Sequence, residues 1–200
     1  MTRNGWLLAA LLIVAAWQGL RSWEARPVHP ADGVLAPDDP VQAGDTDGKD
    51  IPAGRWTLTP KATYDITARV LGRENYRFDA LADLIPEDLA LGWGPMSDNT
   101  VLDRLEISQS SRFFWWRPLQ ELPLPSRDVI EHSANTHVIP ADASVARDLV
   151  RLRVGQVVRL QGLLVDGKRD DGMTFRTSLT RRDSGEGACE VLYVEQVMIE

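Results

Sequence analysis

Cysteine is almost missing: Cys189 is the only one in 200 residues. A single thiol excludes an intrachain disulfide and any metal site built from several cysteines. Lysine is nearly as scarce, 3 residues against 19 arginines, which reads as a base-composition bias of the source genome and not as a demand for guanidinium chemistry. A basic surface is lacking too. The formal net charge is −7, whereas neutralising phosphates requires clustered cations, so no nucleic-acid partner is expected. There is no glycine-rich phosphate loop followed by lysine, no HExxH, no GxSxG and no internal repeat. Those absences count against nucleotide-binding enzymes, zinc enzymes and the common hydrolases. The sequence calls for no cofactor and no metal.

Long apolar runs are missing as well, with one exception. Asn4 to Leu20 is uncharged, with Arg3 before it and Arg21, Glu24 and Arg26 after it. Seventeen residues sit at the short end of what crosses a hydrocarbon core at about 1.5 Å per residue. Trp6, Trp17 and Trp23 flank the run as interfacial aromatics do. Ala15 and Ala16 lead straight into Trp17, Gln18 and Arg21, which leaves no clean small-x-small cleavage site. Residues 1–26 therefore read as a retained transmembrane anchor and not as a cleaved leader.

From Pro27 to Gly54 there are six Asp, one Lys, five Pro and four Gly. That composition predicts an extended, self-repelling linker over 27–55. Its acidity gives a weak push towards export of the C-terminal part. DTDGKD looks superficially like a calcium loop, but its glycine comes at the fourth place and Lys49 fills a ligand place.

The remaining residues, 56–200, alternate in several stretches. In ATYDITARVL, Tyr64, Ile66, Ala68 and Val70 share one face, which predicts a strand. In GQVVRLQGLLVDG, Val158, Leu160 and Leu164 face one way and Arg159, Gln161 and Leu163 the other, with Gly162 where a bulge, a barrel corner or a close backbone approach belongs. A glycine-flanked turn to MTFRTSL makes a hairpin, and VLYVEQVMIE predicts the last strand. DASVARDLVRLRV places Val145, Leu149 and Leu152 on one helical face, capped by Asp142 or Ser144. FDALADLIPEDLALGWG carries Leu81, Leu84, Ile85 and Leu89 at helical spacing behind Asp79, so a helix interrupted by Pro86 is expected there. Residues 118 to 140 hold four prolines and read as a long loop that is functional or hides further elements. The sum is a mainly β (α+β) domain with short helices. Its expected form is a small antiparallel barrel, closed or partly open and OB-like, with a sandwich as the alternative.

Residues able to do chemistry are few. His132 and His137 in HSANTH stand five apart, on opposite faces of a strand and roughly 140° apart on a helix, so neither geometry shares a metal. A neutral imidazole is a natural proton shuttle, and Ser133 or Asn135 could orient one. Cys189 in GEGACE could act as a nucleophile with His137, oriented by Asn135, although Glu190 beside it opposes thiolate formation; the other pairing open to His137 is His132. Against these stand the ordinary readings of loop histidines bonded to backbone and a small buried cysteine. In FFWW, alternation sends Phe113 and Trp115 one way and Phe114 and Trp116 the other, so one pair must lie outside the sheet or under a covering loop. Trp93, Asp98, Phe114, Trp115, Trp116, Asn135 and His137 are accordingly the expected binding residues.

The strings ALGWGPMSD, HSANTHVIPA, GQVVRLQG and SLTRRDSGEGACE together resemble a family of uncharacterised bacterial proteins with one N-terminal membrane segment. The resemblance spans roughly residues 60 to 200. It implies a bacterial source and a membrane-anchored layout, and it brings no activity, ligand or catalytic residue. The expectation is a non-catalytic binding or accessory module, single-pass in the bacterial inner membrane with its globular part periplasmic. Its partner would be an envelope protein or small envelope ligand. The alternative is an envelope hydrolase or transferase using His137 with Cys189 or His132.

Overall fold

In the computed structural model of the chain, residues 26–44, 46–180 and 187–200 are described. The segment read as a membrane anchor lies almost wholly outside them. The described part is mainly β, 46% strand and 14% helix. Strands β1 (Val41–Ala43) and β2 (Ile51–Ala53) precede β3 (Trp56–Asn75), whose 20 residues bury every second side chain from Trp56 to Val70. After β3 come β4 (Glu87–Gly92), a 3-10 turn (Gly94–Ser97), a helical turn α1 (Asn99–Leu102), and the hairpin β5 (Leu105–Ser110) with β6 (Phe113–Pro118). The chain continues through α2 (Ser126–Glu131), β7 (Ser133–Pro140), α3 (Ala143–Arg151), β8 (Val157–Arg169), β9 (Thr174–Phe175) and β10 (Glu190–Ile199).

Five of these strands pair in the order β3–β4–β7–β10–β8, and β8 pairs again with β3. Only the β7–β10 pair is parallel. The result is a ring-like, partly open sheet. Its length lets β3 serve two neighbours: Trp56 to Arg69 pair with β8, and Arg69 to Asn75 with β4. Register shifts at Pro60/Ala62 and Val70/Gly72 bend it between them. Gly162 does what a mid-strand glycine can do: a Cβ there would collide with the Tyr193 carbonyl, beside the register shift Val194/Gln196 on β10.

One buried cluster draws on all five strands. Tyr64, Ile66, Leu89, Leu91, Val138, Leu160, Leu164 and Leu192 meet there, joined by Val145 and Leu149 of α3 and by Leu152 just after it. Asp142 caps that helix through Ser144 N and Val145 N. A second cluster, including Trp56, Ile85 and Val191, lies against the outer face. A third, including Leu71, Ala90, Met96 and Val129, is covered by the β5–β6 hairpin with Phe114 and Trp116.

Three expectations change. The helical reading of 79–91 gives way to turns and then β4, all six residues of which are buried. A short apolar run enclosed on both faces has no period to distinguish it from a helix. Pro86 stops the turn before that strand, and Asp79 caps only a turn, accepting from Leu81 N at 2.9 Å. The long loop at 118–140 contains α2 and β7, and SANTHVIP is a strand in the middle of the sheet. The acidic stretch after Pro27 does not hang free. Val28 N donates to Val154 O at 2.7 Å, Leu35 N and Ala36 N to Ser97 Oγ at 3.0 and 3.1 Å, and Ala36 is fully buried. The strap is held by hydrogen bonds to its backbone, by Asp32 and Asp39 accepting from Asn99 and Trp93, and by one small apolar side chain, partners that composition does not reveal.

Candidate functional site

On the outer face of β4 and β7, polar side chains converge where the sheet is otherwise apolar. Pairing sets Asp88 opposite His137 and Ala90 opposite Asn135. Side chains two apart on a strand share a face, so Asp88, Asn135 and His137 meet. Parallel pairing sets Glu190 opposite Thr136, which brings the residue before it, Cys189, alongside Asn135.

His137 Nδ1 donates to Asp88 Oδ1 at 2.7 Å, and the Cys189 side chain lies near enough to the imidazole to favour its charged form. With Nδ1 held by the carboxylate, Nε2 is the nitrogen left for the thiol. Burial opposes charge on this ring, but the hydrogen bonds and charges of Asp88 and Cys189 outweigh it, and the His137 pKa is pushed up to about 9. Asn135 Nδ2 donates to Asp88 Oδ2 (3.3 Å) and to the Arg112 carbonyl (3.1 Å), and lies 3.8 Å from Cys189 Sγ. Its Oδ1 accepts from Gln109 Nε2 at 2.8 Å. A carboxylate and a carbonyl only accept, so the amide nitrogen must be the atom that faces them.

Asp88 is fully buried and has a second cation, Arg112, with Nη1 at 3.2 Å. Arg112 and Ser111 form the two-residue tip of the β5–β6 hairpin, with φ of 66° and 52°. Such left-handed turns suit the twist of a hairpin but favour glycine or asparagine. Here the tip is held by its own arginine. Arg112 N donates to Tyr76 Oη (2.9 Å), Nε and Nη2 to Asp79 (3.1 and 2.8 Å), and Nη2 to the Ile85 carbonyl (2.9 Å), with the guanidinium 4.0 Å over the Tyr76 ring. Burial and the charge of Asp88 push the Tyr76 phenol up to about 12. The Arg112 carbonyl closes the circle by accepting from Cys189 Sγ at 3.9 Å. The His137 side chain keeps 13% exposure and Cys189 is half-buried, so the thiol sits under the hairpin tip without being sealed.

Of the residues expected from sequence, the structure gathers Cys189, His137 and Asn135. It leaves His132 outside: that ring ends α2, with Nδ1 at 2.8 Å from the Asp128 carbonyl, and packs against Gly94. Trp93 and Asp98 serve the strap, since Trp93 Nε1 donates to Asp39 Oδ1 at 3.0 Å and Asp98 Oδ1 accepts from Gly33 N at 3.1 Å. Phe114 and Trp116 are partly buried beneath the hairpin, while Trp115 is 56% exposed with the Phe113 ring 5.9 Å away. Asp88, Gln109 and Arg112 go unmarked in the sequence. The one local sign of Asp88 is an acid pair inside an apolar run, PEDLALG. Among the described residues no group of three or more His, Cys, Asp or Glu has the arrangement to hold a metal ion.

The chain matches no family model, no curated protein and no solved structure.

Proposed function

We propose that the chain carries a cysteine nucleophile for acyl transfer or hydrolysis, with Cys189 attacking, His137 exchanging protons and Asp88 orienting the imidazole. The observation that carries this reading is the convergence of three groups: His137 donates to the buried Asp88 carboxylate at 2.7 Å, and the Cys189 thiol lies beside that imidazole and 3.8 Å from Asn135 Nδ2. It has the relations of a nucleophile, a base and an orienting acid, which are recognised by geometry and not by order in the chain. Cys189 sulfur adds to an acyl carbon, and the leaving group departs with a proton from His137, leaving a thioester. Water then adds while His137 takes its proton, and the acid and free thiol are released. Asn135, fixed by Gln109, commits its Nδ2 to Asp88 and to the Arg112 carbonyl and so holds the orienting acid and the hairpin tip in place beside the sulfur.

The fold reading that goes with this is a five-strand Greek-key barrel of the OB type. Strand order, the single parallel pair and the helix α3 between β7 and β8 support it. Ligands of such barrels lie on the second and third strands, between the loops that follow the first and fourth. Asp88 and His137 occupy the corresponding strands, Tyr76 and Asp79 the first loop and Cys189 the end of the other. We also propose that residues 4–20 anchor the chain in a bacterial inner membrane with the globular part periplasmic. The support for this is the uncharged, arginine-flanked run of seventeen residues with tryptophans near its ends.

The second reading, a non-catalytic module for an envelope protein or small envelope ligand, is favoured by one observation, the exposed Trp115 with Phe113. One experiment separates the two: the full-length chain is incubated with an activated ester and analysed by intact mass. Acylation at Cys189 that disappears in His137→Gln supports the nucleophile. A chain that stays unmodified, or one modified equally in the variant, leaves the binding module as the better account.

A further inference from the structure

Arg69 presents an anomaly away from the thiol. It lies on β3 with 4% exposure, and among the described residues its side chain makes one hydrogen bond, from Nη1 to the Ser97 carbonyl at 3.1 Å. No carboxylate of the described residues forms an ion pair with it. A guanidinium has five N–H donors, and here the charges of Asp103 and Asp98 favour the cation only from beyond ion-pair distance, leaving donors without a direct anionic partner. Three less deeply buried arginines, with side chains 13–16% exposed, each have an acid against them: Arg73 has Glu87, Arg112 has Asp79 and Asp88, and Arg169 has Asp171.

Arg69 is among the residues lining a cavity of about 190 Å³. Val28 and Pro27 of the strap, Leu71, Leu102, Ile107 and Val154 give it apolar walls, and exposed His29 forms part of its rim. Asp103 is the only acid in the lining; it is exposed to solvent, where screening weakens its repulsion of an approaching anion. It attracts the Arg69 charge without reaching it as an ion pair, while burial pushes the guanidinium pKa down. The cavity is smaller than those that take drug-sized ligands, so it fits a head group with a short chain.

We propose that this cavity binds a small anionic amphiphile, a carboxylate or phosphate monoester whose oxygens take the unused donors of Arg69 while its hydrocarbon portion lies against Leu71, Leu102, Ile107 and Val154. Arginine matches both anions in a forked geometry. The site is separate from Cys189, so it stands or falls independently of the nucleophile.

The test is calorimetric titration of the full-length chain with four probes of one chain length, sodium hexanoate, hexyl phosphate, hexanol and hexylamine, and with inorganic phosphate. At least one of the two amphiphilic anions binds at least ten-fold more tightly than hexanol, hexylamine and inorganic phosphate; the tighter of the two identifies the head group. Arg69→Gln loses that preference, and His29→Trp, which crowds the rim from an exposed position, weakens the anion at least ten-fold with the core untouched. Equal binding of hexanol and the anions, inorganic phosphate binding as well as hexyl phosphate, or anion binding unchanged in both variants would overturn the proposal. If Arg69→Gln fails to fold, the probe series and His29→Trp decide it.

Discussion

Asp88 is a charged side chain with no exposure, and its surroundings explain how the fold tolerates it. Arg112 and the His137 imidazolium supply two cations, Asp79 a second anion, and Asn135 a neutral donor. Replacing Asp88 with Asn keeps the shape and removes the charge that both cations face. We expect a loss of about 3–5 kcal/mol in urea unfolding, the usual result of leaving buried charge uncompensated. His137 gives a second expectation with a definite sign. Its pKa is raised in the folded state, to about 9, so the stability it contributes is complete below the ordinary histidine value near 6.5 and disappears as pH rises through 9. Unfolding free energy measured from pH 6 to pH 10 should therefore fall by roughly 2–3 kcal/mol more in the natural chain than in His137→Gln. Parallel pH curves for the two proteins would show that the ring is not charged in the fold.

At the scale of elements, the pieces that could be read from sequence are those with an uninterrupted period. Tyr64 to Val70 on β3, Val158 to Leu164 on β8 and Val145 to Leu149 on α3 bury the faces that alternation or helical spacing assigns. β4 lacked any period because both its faces are covered, Leu89 and Leu91 by the ring and Asp88 and Ala90 by the hairpin region. β7 was hidden among prolines and polar residues because its outward side chains, Asn135 and His137, are polar for the site. The strap depends on its partners in the same way. Gly155 has φ of 92°, and a Cβ there would collide with the Val28 carbonyl, so Gly155→Ala should cost about 1–3 kcal/mol and free the strap to proteases. Ser97→Ala should cost about 2 kcal/mol by urea titration, since the amides of Leu35 and Ala36 lose their shared acceptor. In the hairpin, Trp115→Ala should change stability by no more than about 0.5 kcal/mol, whereas Trp116→Ala should cost about 2 kcal/mol or more, because only the latter packs on the third cluster.

For the whole molecule, pairing between distant segments makes the site, and that is the part no local signal carries. Asp88, His137 and Cys189 are 49 and 52 residues apart in turn, and only the antiparallel β4–β7 register and the parallel β7–β10 register bring them together. Cys189 and His137 could be named as chemical types; that they meet, and that Asp88 completes them, is a consequence of topology. The anchor is testable at the same scale: full-length chain should stay with the membrane pellet after alkaline extraction, and release into the supernatant at full mass would count against it. The central claim concerns the thiol, because thiolate is the reactive form and His137 is the group that can hold its proton. The most direct measurement is the rate at which iodoacetamide alkylates Cys189 at pH 7 in full-length natural chain and in His137→Gln. The account predicts a reaction at least about ten-fold slower in the variant, in keeping with the contribution of a positioned acid–base group; equal rates would contradict it.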